Sequence, residues 1–168
     1  MEFLDQIEEI ISHVGDDLIL DKNATSTPQS IEIVPDKMVE VFQLLHSHQE
    51  AYFDSLSCLT GIDNGPEVNS MEVVYNLYSI PMDHALMIKI TIPRDHPEIQ
   101  SVSSIWRTAN WHEREAYDLF GIKFIGHPDL RRILMPADWD GHPLRKDYSE
   151  PETYHGMRTI RDEENDIE

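Results

Sequence analysis

The apolar positions at the start of the chain recur with a helical period. Phe3, Leu4, Ile7, Ile10, Ile11 and Val14 share one stripe of "EFLDQIEEIISHVG", and Gly15 stands where a helix C-terminus favours glycine. A short strand is expected at Leu18–Leu20, then a loop at "NATSTPQS". In "SIEIVP", Ile31 and Ile33 alternate as in a strand that ends at Pro35. "DKMVEVFQLLHSH" returns to the helical period, with Met38, Val41, Phe42 and Leu45 on one stripe and Asp36 placed to cap it. "YFDSLSCLTGID" reads as extended before the turn-forming "DNGP".

The clearest period-two signal follows. Val73, Tyr75 and Leu77 alternate in "MEVVYNLYSI"; Leu86, Ile88, Ile90 and Ile92 alternate in "HALMIKITIP", and "PMDH" joins the two as a hairpin loop. One-sided alternation implies a sheet with one face covered by helices. The fold class is therefore α+β: a mostly antiparallel or mixed sheet packed by helices on one face. "HPEIQSVSSIWRTA" leads through a short helix or turn to a third helix. There Asn110 and Glu113 have capping-box spacing, and Ala116, Leu119 and Phe120 form the apolar stripe before Gly121. "IKFI" is strand-like.

The pattern changes after Gly126. Pro128, Pro136, Pro143 and Pro151 exclude a long helix. Yet the segment carries Leu130, Ile133, Leu134, Met135, Trp139, Leu144, Tyr148 and Tyr154, which need burial either on their own sheet or along another protein. The expected organisation is a globular domain over 1–125, an extended Pro/Arg/aromatic docking arm over 126–157, and an acidic tail over 158–168.

Composition narrows the chemistry. A length of 168 residues with 40% apolar content supports one packed domain. No apolar run is long enough to span a membrane, and the acidic, amphipathic start is unlike a secretory signal, so a cytoplasmic-side protein is expected. The net charge of −19 argues against nucleic acid as a partner. That charge is uneven: residues 1–110 hold eighteen acidic and five basic side chains, whereas 113–148 hold seven and six. The single cysteine, Cys58, cannot form a disulfide within the chain or supply the four thiolates of an iron–sulfur cluster, and reads as a small buried hydrophobe.

No self-contained catalytic motif is present. His112 and Glu113 begin like a zinc-protease helix, but Ala116 occupies the place of the second histidine. His127, His142 and His155 are widely spaced and read as structural groups rather than metal ligands. Glu113 and Glu115 point to different sides of the helix, and Arg114 and Asp118 have the spacing of an ion pair. Gly-rich phosphate loops and nucleophile elbows are missing. Catalytic, cofactor-binding and metal-binding residues are accordingly expected to be none. An interaction surface remains, with Arg131, Arg132, Met135, Trp139, Arg145, Tyr148 and Tyr154, together with Met157, as candidate anchors.

The run Glu113-Arg114-Glu115, two residues, Asp118-Leu119-Phe120, six residues, His127, three residues, Arg131, then Ile133-Leu134 resembles the signature of the 30-kilodalton subunit family of respiratory complex I. In bacteria its members are the C subunits of NADH-quinone oxidoreductase. "MPADWDGHPLRKDY", "YHG" and "LTGID" are similar to that family too. The resemblance implies a non-redox structural subunit in the peripheral arm of a proton-translocating enzyme. That enzyme passes electrons from NADH through FMN and iron–sulfur clusters to quinone, and this chain would bind none of these groups. The implied neighbours are chiefly the 49-kilodalton subunit, which is the D subunit of the bacterial enzyme, with the B and I subunits. The implied location is the cell inner membrane, peripheral, on the cytoplasmic side, and the acidic ending resembles the form not fused to the 49-kilodalton subunit. The resemblance also gives Glu113, Arg114 and Glu115 a structural charge network, with the following arm docked on the 49-kilodalton subunit. Two alternatives stand beside it: a homologous subunit of a membrane-bound hydrogenase or ferredoxin-accepting complex, and, last, a stand-alone metal-dependent hydrolase.

Overall fold

A computed structural model describes residues 2–159. The first amphipathic stripe forms helix α1 (Phe3–Ser12), and strands β1 (Ile19–Asn23) and β2 (Ser30–Ile33) follow. Helix α2 spans Met38–Ser47. It is preceded by a 3-10 turn at Pro35–Lys37, so the residue at its N-terminus is Lys37; Asp36 lies within that turn and caps nothing with its side chain. The three long strands β3 (Ser55–Asp63), β4 (Ser70–Ser79) and β5 (His84–Pro93) complete a five-stranded sheet in the order β1-β2-β5-β4-β3. The expected hairpin is β4–β5, with its loop at residues 80–83, one position earlier than the alternation suggested. The β2–β5 pair is parallel and the others are antiparallel, which makes the sheet mixed.

Period two sorts β4 and β5 into a core face and an outer face. Met71, Val73, Tyr75 and Leu77 join Leu86, Ile88, Ile90 and Ile92 in one buried cluster with the apolar stripes of α1 and α2. Phe42 of α2 packs its ring 4.7 Å from that of Tyr75 and 5.6 Å from that of Trp106, whose indole donates to the Phe53 carbonyl at 3.0 Å. Cys58, expected in the core, is only half-buried beside an irregularity of the β3–β4 pairing.

Helix α3 (Ala109–Phe120) lies across β3, at the edge of the sheet. Their close approach depends on Gly61: a Cβ there would sit 2.9 Å from Ile122 and 3.0 Å from Phe120. The stretch before α3 contains β6 (Glu98–Gln100), which pairs in parallel with β7 (Lys123–Ile125), and then the expected turn at residues 103–105. Helix α3 begins at Ala109, so Asn110 lies inside the helix and the Asn110/Glu113 capping box does not form. After β7 the chain runs without a helix among the described residues and ends in the hairpin β8 (Thr153–Tyr154) and β9 (Met157–Arg158). The acidic tail expected from residue 158 lies, beyond Thr159, outside the described residues.

Candidate functional site

Helix α3 turns three of its charged side chains into the protein, and each holds a different part of the chain. Glu113 is fully buried. Its carboxylate accepts from the Ser101 hydroxyl at 2.6 Å and the Val102 amide at 2.7 Å, fixing the turn after β6. His127 Nε2, equally buried, stands 3.9 Å from the same carboxylate and 3.1 Å from the Asn110 carbonyl. Burial raises the Glu113 pKa to about 7, against the opposing pull of its two donors. The buried Tyr75 phenol is pushed well above its ordinary value, by burial first and then by the Glu113 charge. Arg114 is also buried. It lies 4.9 Å over the Trp111 ring and donates to the Arg131 carbonyl at 3.3 Å. Glu115 is exposed, and Glu113 and Arg114 engage different partners, so among the described residues the three consecutive charges do not form one network.

Asp118, with no exposed surface, organises the segment that follows. Its Oδ2 accepts the amides of Ile133, Leu134 and Met135 at 2.9, 2.7 and 3.0 Å. Its Oδ1 accepts Arg132 Nη1 at 2.8 Å. The Arg114–Asp118 pair suggested by spacing is absent because this nearer set of donors occupies the carboxylate. Burial alone would push the Asp118 pKa up; the Met135 and Leu134 amides, the Arg132 guanidinium and the Ile133 amide outweigh it and hold the carboxyl below its ordinary range. Arg132 also donates to the carbonyls of Trp139 and Gly141 at 3.2 and 2.8 Å. It thus ties helix α3 to two points of its own downstream segment.

The C-terminal carbonyls of a helix lack partners within the helix. Here the downstream segment supplies them. Asp118 O accepts from Arg132 at 3.2 Å and from His142 Nδ1 at 2.9 Å, Leu119 O from the Leu144 amide at 3.0 Å, and Phe120 O from Arg145 Nε at 2.7 Å. The two guanidinium charges also complement the negative end of the helix dipole. Because a carbonyl only accepts, His142 carries its proton on Nδ1. Burial lowers its pKa, aided by Arg145 and Arg132 and opposed by the Asp118 carbonyl. Gly121 ends the helix at φ 78°, and a Cβ there would meet His142 at 2.6 Å and Arg145 at 2.8 Å. Gly121→Ala is therefore expected to cost about 2 kcal/mol, from left-handed strain and displaced carbonyl donors. Urea unfolding of the purified chain measures it.

A second tether binds the segment to the end of β3. Asp63 and Arg94 form a buried bidentate pair at 2.8 and 3.1 Å. Asp63 also accepts the amides of Lys146 at 2.8 Å and Gly65 at 3.0 Å, while Arg94 reaches on to Asp147. The Arg94 guanidinium, with the two amides and against burial, lowers the Asp63 pKa to about 2. This depressed carboxyl contributes stability above pH 4 that fades as pH falls through 2. Asp63→Asn should remove about 2 kcal/mol at neutral pH and flatten that acid limb, as read from denaturant titrations between pH 2 and pH 7.

The remaining candidates divide clearly once placed in space. Trp139, Tyr148 and Tyr154 turn toward one another: the Trp139 indole donates to Tyr148 Oη at 2.9 Å and its ring lies 5.1 Å from that of Tyr154. Tyr154 and His155 both engage Asp138 at 2.8 Å. Ile133 and Met135 are half-buried, whereas Arg131 is exposed and pairs with Asp129 at 3.0 Å. Leu134, Leu144 and Met157 are more than half exposed. His127, His142 and His155 keep separate partners, and the described residues include no group of three His, Cys, Asp or Glu able to hold a metal ion. Sequence reasoning missed Asp63, Arg94, Ser101 and Lys146. The only hint was the apolar surroundings of two charged residues, Asp63 in "LTGID" and Arg94 in "TIPRD".

A family model described as "Respiratory-chain NADH dehydrogenase, 30 Kd subunit" matches residues 31–154. The C subunit of NADH-quinone oxidoreductase from Chlorobium phaeobacteroides is 47% identical over 124 residues, 73% of this chain and 74% of that protein. The protein of the same name from Chloroherpeton thalassium is 52% identical over 107 residues, 63% of this chain but only 44% of that longer relative. Among solved structures, a chain of the membrane-bound sulfane sulfur reductase, an archaeal respiratory membrane complex, superposes with a TM-score of 0.72 over 88% of this chain and 86% of its own length. At 22% identity it shows the shared fold alone. A trypsin-resistant fragment of Nqo5 superposes with a TM-score of 0.52 at 31% identity, over 61% of this chain and 82% of the fragment.

Proposed function

Because the chain belongs to the 30-kilodalton subunit family of respiratory-chain NADH dehydrogenase, we propose that it is a non-redox structural subunit of a proton-translocating NADH-quinone oxidoreductase. It serves the peripheral arm on the cytoplasmic side of the cell inner membrane. Electrons pass from NADH through FMN and iron–sulfur clusters to quinone on neighbouring subunits, and this chain supplies no catalytic residue. In this reading residues 1–125 form the body and 126–157 the docking segment, which lies chiefly on the 49-kilodalton subunit with the B and I subunits nearby; 158–168 form an acidic tail. No helix among the described residues is long and apolar enough to cross a membrane.

One observation carries the docking role. A segment without helix is nevertheless held by its backbone amides to Asp118, and this leaves Arg131, Leu134 and Leu144 outward. A segment already ordered loses less conformational freedom when it docks. Arg131→Ala is expected to weaken association with the 49-kilodalton subunit by on the order of 1–2 kcal/mol while leaving the unfolding midpoint of the isolated chain unchanged. Equal affinity would remove Arg131 from the interface. The broader reading is tested by isolating the tagged chain from bacterial membranes: flavin- and cluster-bearing subunits should accompany it, and recovery as a lone monomer overturns the reading. The sulfane sulfur reductase shares the fold, so identifying the companion subunits in that experiment also separates NADH-quinone oxidoreductase from other membrane-bound respiratory complexes.

A further inference from the structure

Glu113 is a fully buried carboxyl without a countercharge. His127 is the only basic side chain that the described residues place within 4.0 Å of it. A carbonyl only accepts, so His127 Nε2 donates to the Asn110 carbonyl, while its Nδ1 accepts the Asp129 amide at 3.0 Å. Both nitrogens are committed, and the ring is neutral in this arrangement. Arg114, next along the helix, is turned to the Trp111 ring and the Arg131 carbonyl. The buried Tyr75 hydroxyl has no hydrogen-bond partner among the described residues, and burial followed by the Glu113 charge keeps that phenol neutral. A buried carboxylate left unbalanced in this way gains by taking up a proton. Burial accordingly brings the Glu113 pKa to about 7, although the Ser101 hydroxyl and the Val102 amide favour the charged form.

The turn after β6 holds a route for that proton. Glu113 Oε2 is 2.6 Å from Ser101 Oγ, which is 2.8 Å from Ser103 Oγ. Ser103 is half-buried and precedes the exposed Ser104, so this chain of hydroxyls runs from the interior toward the surface. Each hydroxyl donates one hydrogen bond and accepts up to two. With the carboxylate ionised, Ser103 donates to Ser101 and Ser101 donates to Glu113. A proton delivered by water or buffer to Ser103 Oγ reverses both bonds. The Ser103 proton passes to Ser101, and the Ser101 proton passes to Glu113 Oε2. Glu113 then donates to Ser101, Ser101 to Ser103, and Ser103 to solvent, with one proton gained in total. Meanwhile the Val102 amide can keep Oε1 at 2.7 Å, and the Ser103 amide can keep Ser101 Oγ at 3.2 Å. We infer that Glu113 is an exchangeable internal proton site, loaded and emptied through the hydroxyls of Ser101 and Ser103. The site is independent of the docking role proposed above.

Infrared spectra of the full chain test both parts. The carbonyl stretch of a protonated carboxyl should grow in as pH falls from about 9 to about 6, and should be missing from Glu113→Gln. Asp63 and Asp118, two other buried carboxyls, are held below their ordinary range and add nothing there. The wild-type band therefore suffices even if the glutamine variant is unstable, and its absence overturns the proton site. Nitrogen NMR of His127 over the same range should show Nδ1 free of a proton; a proton there would move the site to the histidine and overturn the assignment. After a pH jump, Ser103→Ala should keep the midpoint of the band but slow its appearance by about tenfold or more. Ser103→Thr, which retains a hydroxyl, should restore the rate. Wild-type kinetics in Ser103→Ala, or slow kinetics in Ser103→Thr, overturn the route.

Discussion

Asp118→Ala should lower the stability of the isolated chain by about 3–5 kcal/mol, in the range found when one partner of a buried ion pair is removed. The carboxylate gathers one guanidinium and three consecutive backbone amides. Without it those donors must find water, and the segment around Ile133–Met135 loses the contact that positions it. Hydrogen exchange at these three amides should accelerate more than exchange in β4 and β5, which sit in the core. Asp118→Asn should be milder, since one oxygen can still accept although the charge is gone. A double variant with Arg132→Ala should cost much less than the sum of the two single changes, because both act on one network. Full additivity in urea unfolding would show that the two side chains stabilise the protein separately. Loss of this network is also expected to reduce assembly, since a loosened segment must be ordered again when it docks.

Glu113→Gln should act through pH. The glutamate has a pKa of about 7 in the folded chain against an ordinary value of 4.5. Between those values the folded state holds a proton that the unfolded state has released. Stability consequently falls as pH rises from 4.5 to 7, then becomes level in this respect, with a total of roughly 3 kcal/mol. The glutamine variant lacks that slope. The two stability curves should converge near pH 4 and separate toward pH 8, with the variant the more stable. The groups that face Glu113 are the Ser101 hydroxyl, the Val102 amide, His127 and Tyr75; the variant leaves them all in place. Asp63 and Asp118 give slopes of the opposite sign at lower pH, so only the difference between wild type and variant isolates Glu113. A gap that does not vary with pH would mean that Glu113 keeps its charge throughout.

Much of the fold was legible because burial leaves a periodic trace. The stripe from Phe3 to Ile11 and the alternation from Val73 to Ile92 record which faces avoid water, and those faces form the core. Local competition was harder to read. Asp36 has the chemistry of a helix cap, yet Pro35 starts a tighter turn that takes the place. Asn110 and Glu113 have capping spacing, but the helix already starts at Ala109 and the glutamate satisfies amide and hydroxyl donors elsewhere.

By itself the sequence determined an α+β body, a proline-interrupted segment that cannot be a long helix, and a dense run of family-like residues from Glu113 to Leu134. Each follows from chain-local constraints: side-chain period, ring closure at proline, and the identity of neighbouring residues. Only the tertiary structure decided which charges are internal and which face outward. Asp118 meets donors fourteen to seventeen residues away, and Asp63 meets Lys146 across eighty-three. No periodicity records such meetings, because they depend on where the folded backbone returns. The same return turns Arg132 inward and leaves Arg131, its immediate neighbour, exposed.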